Sequence, residues 1–320
     1  MIWIAVFILS FAILYWAGSG TIKGLMKMAK FLGWREFVVA FFIMAFAGCL
    51  PNLFIDLNAV INGMPELALG DVVGGNLVDL TLAVALAVLV GGKPLSVESR
   101  MVQTSTVFTA IIALLPWLLV LDKYLGRGDA IILFLTFIVY IIWLFSKEER
   151  FKKIYQERKK KKTKLIIQFI SFIKSLFSTI VCIVLLLLAS WGVIKSVQVF
   201  SETFFVSIPL IGILIIGLAN TFPETYFSIV SAKKGQTWMI LGDLMGSVIV
   251  CATLVLGIVA MVHPIEIADF SPFMIARIFL IIAAVFFFIF VKTGRKITRA
   301  EAAILLSLYF IFIFCEFAFQ

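Results

Sequence analysis

Two stretches of this chain put oxygen-bearing side chains inside otherwise apolar sequence. The first, Gly48 to Asp79, carries Asn52, Asp56, Asn76 and Asp79; the second carries Asn220, Thr221, Glu224 and Ser247. Lipid leaves no water for exposed backbone groups, so irregular segments at such depth must face protein or a water-filled cavity. Ionisable side chains there mark a functional site by default. Carboxylates, amides and hydroxyls are hard donors, and calcium takes six to eight such oxygens. Sodium takes oxygen as well. Helices interrupted near Pro51 and Pro223 would add freed backbone carbonyls, because proline has no N–H to donate. Those carbonyls are expected at Ala47, Gly48, Ala219 and Asn220. No cluster of histidine and thiolate accompanies the set, which disfavours zinc and copper. No resident cofactor is expected, and the cations would bind as substrates. Asp56, Asp79 and Glu224 supply a formal −3 if all are ionised. Protons could replace a cation at so acidic a site, so sodium coupling and proton coupling both remain open.

These residues need a membrane scaffold. The chain has 320 residues, of which 63% are hydrophobic, and a net charge of +9. Soluble domains lie nearer half apolar. At about 20 residues per span, ten helices are expected, at 2–18, 36–62, 68–91, 101–121, 127–146, 165–194, 204–232, 237–262, 271–291 and 300–319. Met1-Ile-Trp-Ile lacks a basic leader segment, so the first apolar run reads as a span. Lysine and arginine crowd the loops after the odd-numbered helices. The positive-inside rule then puts both termini outside, in a plasma-membrane protein. The same rule accounts for the positive charge without nucleic acid. The seven tryptophans are expected at helix ends, as an interfacial belt. Cys49, Cys182, Cys251 and Cys315 read as small core residues. His263, Glu266 and Asp269 read as loop residues, Arg277 as a snorkelling side chain and Glu316 as an interfacial one. Residues 147–164 form a basic cytoplasmic loop, a topological anchor that could also bind anionic lipid. It separates an N-terminal five-helix repeat, 1–146, from a C-terminal one, 165–320.

The halves align at a constant offset of 172 residues: Pro51 with Pro223, Gly63 with Gly235, Leu69-Gly-Asp71 with Leu241-Gly-Asp243, and Thr81 with Thr253. Five helices per half means that the second copy enters the membrane from the opposite side. Inverted repeats of this kind are common in secondary transporters, with the site near the midplane where broken helices meet.

At these residues the chain resembles the sodium/calcium exchanger family of the calcium/cation antiporters. That family carries two inverted copies of a segment close to G-T-S-x-P-E-L followed by G-N/D-x-x-G-S-N-x-x-N/D. The first copy here reads Ala47-Gly-Cys-Leu-Pro-Asn-Leu and Gly70-Asp-Val-Val-Gly-Gly-Asn-Leu-Val-Asp79. The second reads Ala219-Asn-Thr-Phe-Pro-Glu-Thr and Gly242-Asp-Leu-Met-Gly-Ser-Val-Ile-Val-Cys251. The resemblance implies an all-α protein of ten transmembrane helices in two inverted repeats. It also implies an antiporter exchanging calcium or a related divalent cation for sodium, with ions held between helices 2, 3, 7 and 8. The two family glutamates fall at Asn52 and Glu224, so one carboxylate has become an amide. The G-S serine falls at Gly75 and Ser247, and the last ligand position at Asp79 and Cys251. Asp56 stands one helical turn beyond Asn52 and could offset the lost charge.

Asp71 and Asp243 are expected at the mouths of helices 3 and 8, outside the central site, as entrance charges or helix N-terminal acids. Gly70, Gly74, Gly75, Gly242 and Gly246 have the spacing of close helix packing. Family members slide helices 1 and 6 against the rest, and a flexible Gly18-Ser-Gly20 end to helix 1 would suit that. A proton-coupled exchanger and a homologue that no longer transports are the alternatives. The two Gly-Asp pairs also raise intramembrane aspartyl proteolysis, although the inverted topology sends them to opposite faces.

Overall fold

The computed structural model describes residues 2–31, 46, 48–97, 100–146, 165–235 and 237–319. Ala47, the first part of the second predicted helix and the basic loop 147–164 lie outside the described residues.

Long proline-free apolar runs give long helices: α1 is Ile2–Phe31, α5 is Arg127–Ser146 and α6 is Leu165–Phe204. α2, Leu50–Ile61, opens with Pro51 in its first turn, where a missing N–H costs nothing. α3 likewise starts at Pro65; it runs to Val78, widens into a π-helical turn over Asp79–Ala83 and continues as Val84–Gly91. α4 is Arg100–Leu119. α7 comprises Ile208–Leu210, a π-helical turn Ile211–Ile216 and Gly217–Asn220, then breaks at Thr221 and resumes as Phe222–Lys233. α8 comprises Thr237–Ile249, a π-helical turn Val250–Val255 and Leu256–Val262. α9 is Met274–Thr293 and α10 is Arg299–Phe319. Among the described residues nine helices are long and apolar enough to cross a bilayer, and α2 is a tenth, shorter apolar helix. The chain is a polytopic all-α integral membrane protein.

α3 and α8 form the centre. Inside the span Pro65–Gly91, 83% of the most apolar window is buried, and inside Ile240–Val262, 72%, against 22% for α1. The backbones of α3 and α7 touch. A Cβ on Gly74 would lie 2.0 Å from the Ile213 carbonyl oxygen, and one on Gly217 would lie 2.7 Å from the Gly75 nitrogen. The close-packing role expected of Gly70 and Gly74 is seen here. Gly242 differs, because a Cβ there meets nothing within 4 Å.

The 172-residue offset recurs in backbone geometry. α2 and the second part of α7 both follow a break, at Cys49 and Thr221, with nearly equal dihedrals: φ −81°, ψ 0° and φ −87°, ψ 1°. Gly63 and Gly235 share positive φ, at 75° and 74°, and Lys123 and Arg295 do so at 69° and 50°. Thr81 and Thr253 each donate a hydroxyl hydrogen bond one turn back, to Leu77 and Ile249. The inversion shows in four short strands: β1 (Leu95–Ser96), β2 (Tyr124–Leu125), β3 (Ile265–Glu266) and β4 (Lys296–Ile297). β1 pairs with β4 and β2 with β3, both antiparallel. β1 and β2 lie at opposite ends of α4, about 30 Å apart for 20 residues. β3, the equivalent of β1, therefore sits at the other end of the bundle.

Several helix ends differ from expectation. α1 extends to Phe31 rather than 18, and α6 to Phe204 rather than 194, so α7 starts at Ile208 instead of 204. Gly18-Ser-Gly20 is not a flexible end; it lies inside α1 and packs. A Cβ on Gly20 would be 2.6 Å from Cys182 Sγ, one on Gly24 2.1 Å from Thr179 Oγ1, and one on Gly192 2.4 Å from Ser10 Oγ. These contacts make an antiparallel α1–α6 seam, and Ser10–Gly192 and Gly20–Cys182 are images of each other under the repeat. Trp16 and Trp191 consequently sit within helices rather than at their ends. Arg277 lies over the buried Trp117 ring, 5.8 Å from its centroid. Glu316 is fully buried among the helices.

Candidate cation site

The breaks in α2 and α7 and the π turns of α3 and α8 meet at one narrow crevice. α2 contributes Asn52. α3 contributes Asp71, Val72, Gly75, Asn76 and Asp79. Thr221 comes from the α7 break, and Ser247 and Cys251 from α8. Local chemistry explains the irregularities. Pro223 cannot donate to the carbonyl four residues earlier, so Ala219 keeps a free acceptor beside the break. The Thr221 hydroxyl donates to the Gly217 carbonyl at 2.7 Å, which ties down the last turn before the break and leaves its lone pairs available. The π turns begin at Asp79 and at Val250, next to Cys251. A π turn loosens the i→i+4 ladder where side chains and carbonyls must be re-aimed, and such turns cluster at functional sites.

The repeat gives the site two matching pairs. In one, Asn52 Nδ2 donates to Cys251 Sγ at 3.7 Å. Its image is Glu224 with Asp79, two acids within electrostatic reach of each other. One side of the site is thus an amide with a thiol, and the other a diacid. Asp79 faces Ser247, and Glu224 also feels Asp243. Glu224 reaches back to the first break, where a Cβ on Gly48 would be 3.9 Å from Glu224 Oε1. Asp79 Oδ1, Glu224 Oε2 and Asn76 Nδ2 are buried without a hydrogen-bond partner among the described residues.

Of the expected residues, the crevice brings together Asn52, Asn76, Asp79, Thr221 and Ser247, with Gly48 and Glu224 beside it. Ala219 is half-buried in the turn before Thr221. Ala47 lies outside the described residues. Asp56 does not line the crevice with Asn52; its carboxyl is fully buried and faces Asp71. Asp71, expected at a helix mouth, is fully buried in the site, and Asn220 Nδ2 donates to its Oδ2 at 2.7 Å. Asp71 is the seventh residue of α3, since the helix starts at Pro65 and not at 68. Asp243 is half-buried and stands near Glu224 and Asp79. Cys251, read as a core residue, also lines the crevice. Among the described residues no three Asp, Glu, His or Cys side chains converge closely enough to hold a metal ion by themselves. Amides, hydroxyls and carbonyls must complete any coordination, which suits an ion that is bound and released.

The model of the sodium/calcium exchanger protein family matches this chain twice, over residues 2–146 and 174–318, the second match displaced by 172 residues. The chain belongs to the sodium/calcium exchanger family. Family relatives include the sodium/calcium exchanger MaX1 of Methanosarcina acetivorans, 23% identical over 91% of this chain and 92% of the relative. CaxA of Alkalimonas amylolytica is 24% identical over 93% of each. Among solved structures, the sodium-calcium exchanger NCX_Mj superposes with a TM-score of 0.65 at 18% identity, over 99% of this chain and 98% of that one. Family members are antiporters, and the fold matches over essentially the whole length.

Proposed function

We propose that the protein exchanges calcium, or a related divalent cation, for sodium by alternating access, with ions bound between α2, α3, α7 and α8. The observation that carries this reading is the meeting of two helix breaks and two π turns, one of each per repeat, at a single oxygen-lined crevice. Glu224 and Asp79 supply the fixed charge, Ser247, Thr221 and the Ala219 carbonyl supply neutral oxygens, and Asn52 and Asn76 supply amide oxygens. MaX1 carries the name of a sodium/calcium exchanger, which favours these two ions. The distribution of basic residues favours both termini outside the plasma membrane and 147–164 in the cytoplasm, within reach of anionic lipid.

A proton-coupled exchange is the second reading. It is favoured by the neutral Asn52–Cys251 pair, which removes one carboxylate from those that a member with both glutamates would carry there. Intramembrane proteolysis has less support. Asp71 has Asp56 as its carboxylate neighbour, whereas Asp243 stands near Glu224 and Asp79, and proteolysis needs two acids sharing one proton.

Radiotracer calcium uptake into proteoliposomes, driven in turn by a sodium gradient and a pH gradient, tests the reading. The expected result is uptake driven by sodium and abolished by Glu224→Gln. Uptake driven only by the pH gradient would select the second reading, and uptake indifferent to both would refute exchange.

A further inference from the structure

We propose that Cys49 and Cys251 form a two-sulfur site on the neutral side of the crevice, which takes a soft monovalent cation of the silver(I) or copper(I) class. The two cysteines lie far apart in the chain, at the α2 break and in the π turn of α8. The fold brings their thiols into a hydrogen bond with each other. Both residues are buried, and Cys251 lines the crevice. Asn52 Nδ2 donates to Cys251 Sγ at 3.7 Å, and the Glu224 carboxyl lies near Cys49. A buried free cysteine is ordinarily a small apolar filler. Cys182 shows that role, since its sulfur packs against Gly20 in the α1–α6 seam. Cys49 and Cys251 differ, because each sulfur meets the other and one of them meets an amide donor at the crevice wall.

The images of Cys49 and Cys251 under the repeat are Thr221 and Asp79. A hydroxyl and a carboxylate on one side thus become two thiols on the other, and the crevice has a hard face and a soft face. Soft sulfur ligands select soft ions. The number of sulfurs sets the class. Zinc takes four ligands, and among the described residues no third Cys, His, Asp or Glu converges with the pair. Silver(I) and copper(I) are satisfied by two sulfurs in line. On binding, two S–H bonds break, two sulfur–metal bonds form and two protons leave to water, with the oxidation state of the metal unchanged. Asn52 keeps its N–H on Cys251, a donor suited to a sulfur that has become a thiolate. The ion comes between two sulfurs that now touch, so it wedges the α2 break away from α8. Under the exchange reading, on which the role of the site rests, that wedge blocks transport; binding itself needs no turnover.

Silver(I) titration of the purified full-length protein in chloride-free buffer tests this. Cys182→Ala with Cys315→Ala leaves the pair as the only thiols, and adding Cys49→Ser with Cys251→Ser gives the blank for silver held by methionines. Thiolate-to-metal charge-transfer absorbance and bound silver after desalting are the readouts. The expected result is saturation at one silver per chain above the blank, with affinity lower by about a hundredfold or more in Cys49→Ser and in Cys251→Ser singly. Saturation at two silvers per chain, no silver above the blank, or unchanged affinity in both single variants would overturn the proposal. X-ray absorption at the silver edge of the protein that keeps the pair does not depend on whether the serine variants fold: two sulfur neighbours are expected, and a single one would overturn the site. Loss of calcium exchange with silver binding intact would count against the exchange reading alone, and absent silver binding in a protein that still exchanges would count against this site alone.

Discussion

At the scale of single residues, the asymmetry between Glu224–Asp79 and Asn52–Cys251 decides how much charge an ion meets. Restoring the acids on the neutral side, as Asn52→Glu with Cys251→Asp, should tighten calcium binding. A charge-assisted contact is worth about 1.5–3 kcal/mol, so half-saturating calcium in an uptake assay should fall by roughly ten- to a hundredfold for the first change. Turnover should fall with it if release limits the rate. The motif made Asn52, Glu224, Asp79 and Ser247 legible in the sequence, because their spacing from Pro51, Pro223 and the glycines repeats at a fixed offset. Asp71 was not legible. Its environment is set by Asn220, 149 residues away, and by Asp56 across a helix interface. The one hint in the sequence was Asn220, an amide whose image Gly48 has no side chain at all.

At the scale of elements, two seams built on small residues respond to substitution in different ways. Gly74 faces backbone, because a Cβ there would lie 2.0 Å from the Ile213 carbonyl oxygen. Gly74→Ala must push α3 and α7 apart, and overpacking of this kind costs about 1–3 kcal/mol. A lowered thermal midpoint in detergent together with weakened ion binding is the expected result. Gly24 faces a side chain, Thr179 Oγ1, at 2.1 Å. Gly24→Ala should be destabilising alone and largely rescued by Thr179→Ala, a coupling of about 0.5–3 kcal/mol in a double-mutant cycle. Additive effects would show that the α1–α6 seam is not packed this way. Glycines of the same kind misled the reading of helix ends. Gly18-Ser-Gly20 resembles a stop signal, but Gly18 makes room for Pro51 of α2 and Gly20 for Cys182 of α6, and local propensity yields to these contacts. The π turns left no mark of their own in the sequence.

At the scale of the molecule, the halves are joined through their ends as well as through the site. β1 of the first half pairs with β4 of the second, and β2 with β3. Chains ending at Ser146 and beginning at Leu165 should therefore reassemble when produced together, with sodium-driven calcium uptake recovered in vesicles holding both and absent from vesicles holding either. Independent activity of one half would contradict a site shared between repeats. The ten-helix plan and its offset were legible because hydropathy and punctuation are local signals. The strand pairing was not, since each strand is two residues long and meets its partner only after the halves meet.

That pairing has a consequence for biogenesis. Leu95 must wait for Ile297, 202 positions later, before its strand has a partner. At about 5–20 residues per second, translation leaves this edge open for about 10–40 s. Until Asn220 and Ser247 are made, the inserted first half holds Asp56, Asp71 and Asp79 without them or the rest of the second repeat. The nascent chain thus passes through a stage with its acids placed in the membrane and their partners not yet made, when bound cations or an insertion factor would do most to keep it from going astray.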